Sequence, residues 1–290
     1  GVLDQVVENA KLFFEHGRQS TAPHQGSFGD FFAVVLNDTT FVCTAAPDAE
    51  YLNKPTLIPG KNGSTSFYLW NFINEVAKQT EHTHPGKYIA GLAYQNYTLP
   101  PANLQLRPNV AVTVCSLQGN TTPGSRDTTY ELINAWKKIG AGWVGLWEYY
   151  NMQRSGWSGV PRIAPVLVAN DTKKVYDLGV RSEFMELDTW DADARDVAKG
   201  LPSGVAWISP IRTYLNSYVR FRMWDDLRNN PEDILNEHYA RFYGPAAHPI
   251  KQFFELIESR VTDMSLRGEG KITDETVLTP EFDWVHLAPQ

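Results

Sequence analysis

Several common sequence features are absent from this chain of 290 residues. No apolar run reaches the roughly 18 residues that a membrane-spanning helix needs. Neither glycine-rich phosphate-binding pattern, G-x-G-x-x-G or G-x-x-x-x-G-K-[ST], occurs, and there is no G-x-S-x-G nucleophile elbow. The sequence therefore argues against a membrane-spanning protein, a nucleotide-dependent enzyme and a serine hydrolase of the elbow type.

Positive charge is also scarce, because 26 Lys and Arg stand against 33 Asp and Glu and give a net charge of −7. A nucleic-acid binder needs a basic surface that neutralises phosphates, so this balance argues against one. The seven histidines show no metal-ligand spacing, and we expect neither a metal nor another cofactor. Cys43 and Cys115 are the only two cysteines, and the sequence leaves open whether they pair.

Aromatic residues are plentiful by contrast, with nine Trp, thirteen Tyr and fourteen Phe. Their rings fill protein cores, and they also stack on the apolar faces of sugars. Five N-x-[ST] sequons, none with proline in the middle, can accept N-glycans in a secretory compartment: Asn37, Asn62, Asn96, Asn120 and Asn170. We therefore expect a secreted or extracellular glycoprotein; the alternative is that the sequons occur by chance.

Apolar strands alternate with helical patterns along the first two thirds of the chain. Strands are predicted at residues 31–36, 88–94, 110–115, 143–150 and 180–187. Helices are predicted at residues 6–16, 67–80, 130–139 and 163–178, the last broken by Pro165. Residues 210–264 are predicted to be helical, with turns at Pro231 and at residues 244–245. Strands that are apolar on both faces and separated by helices indicate a parallel α/β sheet.

The fold class that this order predicts is α/β, and more specifically a (β/α) barrel of the TIM type. A closed barrel needs eight strands and about 250 residues, but only five strands are found. We therefore predict that residues 1–200 form the C-terminal part of a barrel and that residues 201–290 form a helical region packed on it. An upstream chain is then expected to complete the barrel. The competing prediction is an open, doubly wound sheet of five strands.

Carboxylates lie at or just after the C-terminal ends of three of the predicted strands, where barrels carry their functional side chains. With the period-two alternation of a strand, an apolar series ends in Asp38 after the first strand, in Glu148 at the fourth and in Glu186 at the fifth. Three carboxylates in one mouth suit glycoside hydrolysis, in which one acid protonates the leaving oxygen and a second carboxylate acts as nucleophile or base. Each of them taken singly has the alternative of a structural salt bridge.

Aromatic and amide side chains near the same strand ends are candidate sugar contacts. Two rings and an amide follow the second strand, two rings flank Glu148, and two tryptophans lie in the loops after the fourth and fifth strands. In chain order these residues are Tyr94, Asn96, Tyr97, Trp147, Tyr149, Trp157 and Trp190. The alternative for each ring is packing within a loop or against a helix.

An ordered set of short segments resembles one known family. The segments are residues 36–38 (LND), 71–77 (NFINEVA), 84–94 (HPGKYIAGLAY), 100–101 (PP), 108–110 (PNV), 176–180 (YDLGV), then Glu186, residues 210–224 and residues 238–247 (HYARFYGPAA). In this order they are similar to the domain-of-unknown-function family numbered 4838. The resemblance spans about residues 30–250.

The resemblance implies a carbohydrate-active barrel. Members of that family look like the chitinolytic hexosaminidase and α-glucuronidase barrels, and some belong to glycoside hydrolase family 163, endo-β-N-acetylglucosaminidases that act on complex N-glycans. This implies retaining hydrolysis within the chitobiose core, with the substrate's acetamido group able to serve as nucleophile. Asp38, Tyr94 and Glu186 match family motifs residue by residue, Glu148 matches less firmly, and only Cys43 remains of a cysteine-rich segment.

Three hypotheses for the function follow. In the first, the protein is a glycosidase in which Glu186 and Glu148 are the acid and its partner, in either order, and Asp38 orients the substrate. In the second, it is a non-catalytic carbohydrate-binding or structural protein on a degenerate barrel. In the third, it is one cleaved subunit of a two-chain enzyme. Convergence of the three carboxylates within about 5–10 Å distinguishes the first hypothesis from the second.

Overall fold

A computed structural model describes residues 1–36, 46–60, 62–116, 126–148, 163–185 and 214–262. The chain divides into two compact units. The sheet unit comprises Gly1–Cys115, Thr128–Trp147 and Leu178–Phe184, and the helical unit comprises Ser116–Asp127, Glu148–Asp177 and Met185–Gln290. The domain boundary predicted at residue 200 lies outside the described residues and stays a prediction.

Five strands of the described chain form one sheet. They are β1 (Phe31–Ala33), β2 (Tyr88–Ala93), β3 (Val110–Cys115), β4 (Trp143–Glu148) and β5 (Ser182–Met185). They lie side by side in chain order, with β1–β2, β2–β3 and β3–β4 paired in parallel, and the sheet curls as half of a barrel does. The predicted α/β fold with a partial barrel is therefore confirmed. A doubly wound sheet reverses its strand order at a switch point; the described strands show no reversal, so that competing prediction is wrong.

Apart from the short helix Ala46–Ala49, which was not predicted, the helices agree with the predicted order. They are α1 (Val2–His16), α2 (Ala46–Ala49), α3 (Ser66–Thr80), α4 (Asp127–Lys138), α5 (Pro165–Asp177), α6 (Tyr214–Asp225), α7 (Pro231–Tyr243) and α8 (Ala247–Thr262). Pro165 begins α5 and does not break it, because proline lacks only an N–H that the first helical position leaves unpaired. No helix among the described residues has the length and apolar content to cross a membrane.

The first strand is shorter than its apolar run. β1 ends at Ala33, and the backbone N–H of Val34 makes the next hydrogen bond, to the carbonyl of Ala90 (2.8 Å). The run nevertheless continues to Leu36, and both Val35 and Leu36 line a cavity of the sheet unit. The apolar character of Val35 and Leu36 thus reflects the cavity lining and not strand pairing, which is why the pattern overstated the strand.

One face of the sheet is covered by helices. Its side chains are fully or almost fully buried: Phe32, Ile89, Val112, Val114, Val144 and Leu146. Helix α3 approaches so closely that a Cβ added to Gly91 would lie 2.6 Å from Cδ1 of Ile73. The rings of Trp70 on α3 and Trp136 on α4 lie 4.4 Å apart between their centroids. This helix-covered face is the main core of the sheet unit.

The helical unit has an apolar core of its own, formed by α5, α6, α7 and α8. It includes Ile163, Ala169, Leu215, Val219, Met223, Ile234, Leu235, Tyr239 and Phe254. Helix α7 starts with Pro231 at its first position, and the side chain of Asn230 accepts a hydrogen bond from the N–H of Glu232 (2.8 Å). The predicted turns at Pro231 and at residues 244–245 are therefore confirmed, and the first has a clear capping signal.

A titratable contact joins α8 to the start of α5. The carboxylate of Glu258 accepts hydrogen bonds from the N–H groups of Val166 and Leu167, both at 3.0 Å. Burial raises the pKa of Glu258 from 4.5 to about 7, although the two N–H donors act in the opposite direction. Between these values the folded chain holds more protons than the unfolded chain. The contribution to stability is therefore present below pH 4.5 and is lost as the pH rises through about 7.

Glu258→Gln is expected to remove this part of the pH dependence of stability. Urea unfolding of the variant and the wild type across this pH window measures the effect. The difference between their free energies of unfolding isolates Glu258, because the other titrating groups contribute equally to both chains. Among these is His238, whose pKa burial lowers, so that its own contribution is lost as the pH falls. Parallel stability curves for the two chains would contradict the assignment to Glu258.

Candidate functional site

A cavity of about 500 Å³ opens on the face of the sheet opposite the helices, within the sheet unit. Its lining is Gln25, Gly26, Ala33, Val35, Leu36, Ala90, Gly91, Leu92, Thr113, Trp147 and Phe184. Small-molecule sites are typically about 300–1,000 Å³ and mostly apolar, with a few polar groups that orient the ligand. The hydroxyl of Thr113 and the amide of Gln25 are such groups here. The cavity therefore has the size and chemistry of a ligand site.

Small residues make room for this cavity. Ala33 pairs with Ala90, and Ala90 pairs with Ala111, so three methyl groups lie in one row across β1, β2 and β3. On β4, a Cβ added to Gly145 would lie 2.6 Å from the hydroxyl of Ser182, so the glycine permits the close approach of β5. Larger side chains in this row would fill the space that the sheet leaves open.

Aromatic rings stand at both ends of the cavity face. At the amino ends of the strands, Phe31 contacts Tyr88 and Trp143, with ring centroids 5.2 and 5.3 Å apart. Near the carboxyl ends, Trp147 lies against Phe184 with a centroid distance of 4.1 Å and an angle of 40°. Phe184 is 52% exposed. Barrels bind their substrates at the carboxyl ends of the strands, and this open pair of rings lies there.

A second polar centre lies inside the helical unit and is built around Glu148, the last residue of β4. Glu148 is 0% exposed. Its Oε1 accepts a hydrogen bond from the hydroxyl of Ser116 (2.7 Å), and its Oε2 forms an ion pair with Nη1 of Arg126 (2.8 Å). Nη1 of Arg126 also donates to the hydroxyl of Ser116 (3.0 Å). The carboxylate is thus held by a serine that follows β3 and by an arginine that precedes α4.

Two more buried charges extend this centre. Nε and Nη2 of Arg126 donate to the two carboxylate oxygens of Asp171 on α5, at 2.8 and 2.9 Å. Asp171 Oδ2 also accepts from Nη1 of Arg220 on α6 (2.6 Å), and the same nitrogen donates to the hydroxyl of Thr172 (3.0 Å). The charge network, which we define as Glu148, Arg126, Asp171 and Arg220, therefore contains two carboxylates and two guanidinium groups and is neutral as a set.

Two strands differ in the face on which their apolar series lies. The sequence analysis placed Glu148 and Glu186, and with them the apolar series that each one ends, at one mouth. Those series are residues 144 and 146 on β4 and residues 182 and 184 on β5. In the structure Val144 and Leu146 lie on the helix-covered face, whereas Phe184 lines the cavity. The alternation within each series is as predicted, but the two series lie on opposite faces of the sheet. Because both faces of these strands are apolar, the sequence alone does not say which face is which.

The predicted sugar contacts after β2 have structural partners. The carbonyl of Tyr97 accepts the indole N–H of Trp70 (3.0 Å), and the ring of Tyr97 is buried. The carbonyl of Asn96 accepts hydrogen bonds from the N–H and the hydroxyl of Thr65, and that of Tyr94 accepts from the N–H of Tyr97. This loop is therefore anchored on the start of α3. Contact of Tyr94, Asn96 and Tyr97 with a sugar stays a prediction.

Several predicted residues lie outside the described part of the chain: Asn37, Asp38, Cys43, Asn120, Tyr149, Trp157, Glu186 and Trp190. Of the described candidates, Trp147 lines the cavity and Glu148 belongs to the charge network. Among the described sequons, Asn62 and Asn170 are exposed and Asn96 is half-buried. The described structure thus gives two candidate residues defined surroundings: Trp147 packs against Phe184 at the cavity, and Glu148 contacts Arg126 in the charge network.

Comparison with known proteins supports the resemblance seen in the sequence. The sequence profile of the family described as "Domain of unknown function (DUF4838)" matches residues 29–255. The chain belongs to the DUF4838 family. No curated protein and no solved structure gives a significant match to the chain. The matched range of this DUF4838 protein includes the five described strands, every member of the charge network and all the cavity-lining residues except Gln25 and Gly26.

Sequence reasoning missed three members of the network in this DUF4838 protein: Arg126, Asp171 and Arg220. Two of them carried a usable signal. Asp171 lies on the stripe of α5 that also buries Val168 and Val175, and Arg220 lies on the stripe of α6 that buries Leu215, Val219 and Met223. A charged residue in the apolar stripe of a helix requires a buried partner of opposite charge. Arg126 precedes its helix, so it lies outside any such periodicity.

Proposed function

We propose that this protein is a glycoside hydrolase that acts on glycans containing N-acetylglucosamine. The observation that carries the proposal is the cavity on the face of the sheet opposite the helices, with the rings of Trp147 and Phe184 near the carboxyl ends of the strands. Flat rings at the open end of such a cavity suit the apolar faces of sugar units. The strand alternation predicts that Glu186, two residues after Phe184, continues on the cavity face. The chain belongs to the DUF4838 family, and the resemblance of that family to carbohydrate-active barrels is a further reason for the proposal.

The proposed reaction is retaining hydrolysis with carboxylates. Glu186 and Glu148 are the acid and its partner, and Asp38 orients the substrate. The acid protonates the oxygen of the leaving sugar, while the partner carboxylate or the substrate's acetamido group attacks the anomeric carbon. Relatedness to glycoside hydrolase family 163 and cleavage within the chitobiose core of complex N-glycans belong to this proposal. So does a complete barrel of the TIM type.

The test of this proposal is release of free glycan from a glycoprotein that carries complex N-glycans. Mass spectrometry of the products at increasing times measures the release, and the reducing end of the product shows which bond is cut. Release that requires the folded protein is expected. A folded chain that releases no glycan, alone or with an added upstream segment, would exclude the glycosidase. Heat-unfolded protein is the control for contaminating activity.

A non-catalytic carbohydrate-binding protein is the second candidate. The observation that favours it is the complete burial of Glu148, whose carboxylate contacts Arg126 and Ser116. In this case the chain would bind a glycan on the aromatic pair without cleaving it. Calorimetric titration with the same free glycan separates the two candidates, because a binder gives saturable heat and no product.

The open cavity face also favours a partner. We include in the proposal that an upstream chain supplies the remaining strands of the barrel and covers this face, as in an enzyme of two cleaved subunits. Secretion is likewise proposed, with N-glycans on the exposed sequons Asn62 and Asn170. An intact mass that reveals a tightly held upstream peptide would support the partner.

A further inference from the structure

The charge network is costly to bury, and stability alone does not account for it. Glu148, Arg126, Asp171 and Arg220 are each at most 3% exposed. Taking four charges out of water carries a large desolvation penalty, and well-packed apolar residues of similar volume are often as stable or more stable. A network of this kind is therefore better explained by what it holds in place than by the stability that it adds.

Glu148 is badly placed for direct contact with a sugar. Its side chain is fully buried, and the alternation along β4 puts it on the same face as Val144 and Leu146, which helices cover. Its two oxygens contact the hydroxyl of Ser116 and the guanidinium of Arg126. A carboxylate with these surroundings would have to break an ion pair before it could reach a substrate.

Trp147, the residue immediately before Glu148, is well placed for contact with a sugar. Trp147 points to the other face of β4, where its ring lines the cavity and packs against Phe184. Successive residues of a strand point to opposite faces, so the orientation of one fixes the orientation of the next. Holding the carboxylate of Glu148 therefore also restrains the backbone from which the ring of Trp147 projects.

Arg126 holds Glu148 in a fixed position because the orientation of its own guanidinium group is fixed. The planar guanidinium of Arg126 binds both oxygens of Asp171, so its orientation is set by α5. Arg220 on α6 in turn holds Asp171. Two helices of the helical unit thus orient Arg126, whose Nη1 contacts Oε2 of Glu148 in the same unit.

We propose that Glu148 is a positioning residue for Trp147, held by Arg126, and that it does not touch the substrate. This inference rests on the proposed function and replaces one part of it: Glu148 is no longer the partner of the acid. Glu186 then remains the acid, Asp38 orients the substrate, and the substrate's acetamido group attacks the anomeric carbon. Trp147 stacks on the sugar equally in the ground state and the transition state. Disturbing its position therefore raises KM and leaves kcat nearly unchanged.

The experiment compares Glu148→Gln with Trp147→Ala and with the double variant, using a glycopeptide that carries one complex N-glycan. Glu148→Gln and Trp147→Ala are each expected to raise KM about tenfold with kcat within about threefold of the wild type. If Glu148 acts through Trp147, adding Glu148→Gln to Trp147→Ala changes KM no further. A merely structural carboxylate would not give this non-additive result.

A second variant is needed in case Glu148→Gln does not fold, since this change removes one of the two carboxylates that contact Arg126. Arg126→Met with Glu148→Gln removes one charge of each sign and leaves Asp171 paired with Arg220. This balanced double variant is expected to fold and to show the same rise in KM. Circular dichroism and thermal unfolding establish that each variant is folded before its kinetics are compared.

The outcomes separate this inference from the proposed function. A wild-type chain that neither cleaves nor binds the glycopeptide overturns both. An active wild type with a loss of kcat in Glu148→Gln as large as in Glu186→Gln overturns the positioning role alone, because Glu148 would then act on the reacting atoms. An active wild type with an unchanged KM in Glu148→Gln, or with additive effects in the cycle, overturns it as well.

Discussion

Glu186→Gln is expected to lower kcat for glycan release by about 10²–10⁴-fold, with little change in KM. Glutamine keeps the shape and the hydrogen-bonding reach of the side chain, but it cannot give a proton to the leaving oxygen or act as a carboxylate. Phe184 lines the cavity. The prediction depends on the period-two pattern of the sequence, from which residue 186 is expected on the same face as Phe184. Initial rates of glycan release, followed by mass spectrometry, measure the effect.

Glu183→Gln is the matched control for this variant. It makes the same chemical change three residues earlier, and the alternation along β5 places Glu183 on the face opposite Phe184. Its kcat is expected to equal that of the wild type. Equal losses in the two variants would show that charge on β5, and not a carboxylate on the cavity face, supports the activity. An unchanged rate in Glu186→Gln would remove Glu186 from the proposed mechanism.

Asp171→Asn is expected to lower the free energy of unfolding by about 3–5 kcal/mol, as in other proteins when one partner of a buried ion pair is removed. Asp171 is 3% exposed and accepts hydrogen bonds from both Arg126 and Arg220. The amide has the same size but no charge, so two buried guanidinium groups would lose the carboxylate that they share. Urea unfolding followed by circular dichroism measures the loss.

Asp177→Asn is the control on the same helix. Asp177 is the last residue of α5 and is exposed, so the same change there is expected to alter stability by less than about 0.5 kcal/mol. A loss below about 1 kcal/mol for Asp171→Asn would mean that the network adds little to folding. The positioning role of Glu148 would then depend on the kinetic experiment alone.

Much of the architecture could be predicted from local patterns. The five strands and the helices around them follow from runs of apolar residues with period two or 3.6, and the turn at Pro231 follows from proline after a capping asparagine. The family followed from an ordered set of short segments, and the matched range of residues 29–255 agrees with it. These features are local or ordered along the chain, so they are visible without knowing which residues meet in space.

The candidate site was only partly predictable. Trp147 was expected near a sugar because it lies at a strand end, and it lines the cavity. Ala33 and Ala90, the small residues that line the cavity, gave no signal, because small residues in a strand are common and their alignment across strands depends on register. Register is set by packing between strands that are far apart in the chain.

The sequence by itself determined the parallel α/β order of the strands, the approximate bounds of the helices and the family of this protein. Only the tertiary structure decided which face of each strand the helices cover and which face the cavity occupies. The alternation of side chains along β4 specifies that Glu148 and Trp147 point to opposite faces of the sheet. It does not specify which of the two residues faces the helices and which faces the cavity. The pairing of Glu148 with Arg126, and of Asp171 with Arg220, likewise needed the fold, because packing alone brings together charges that lie many residues apart.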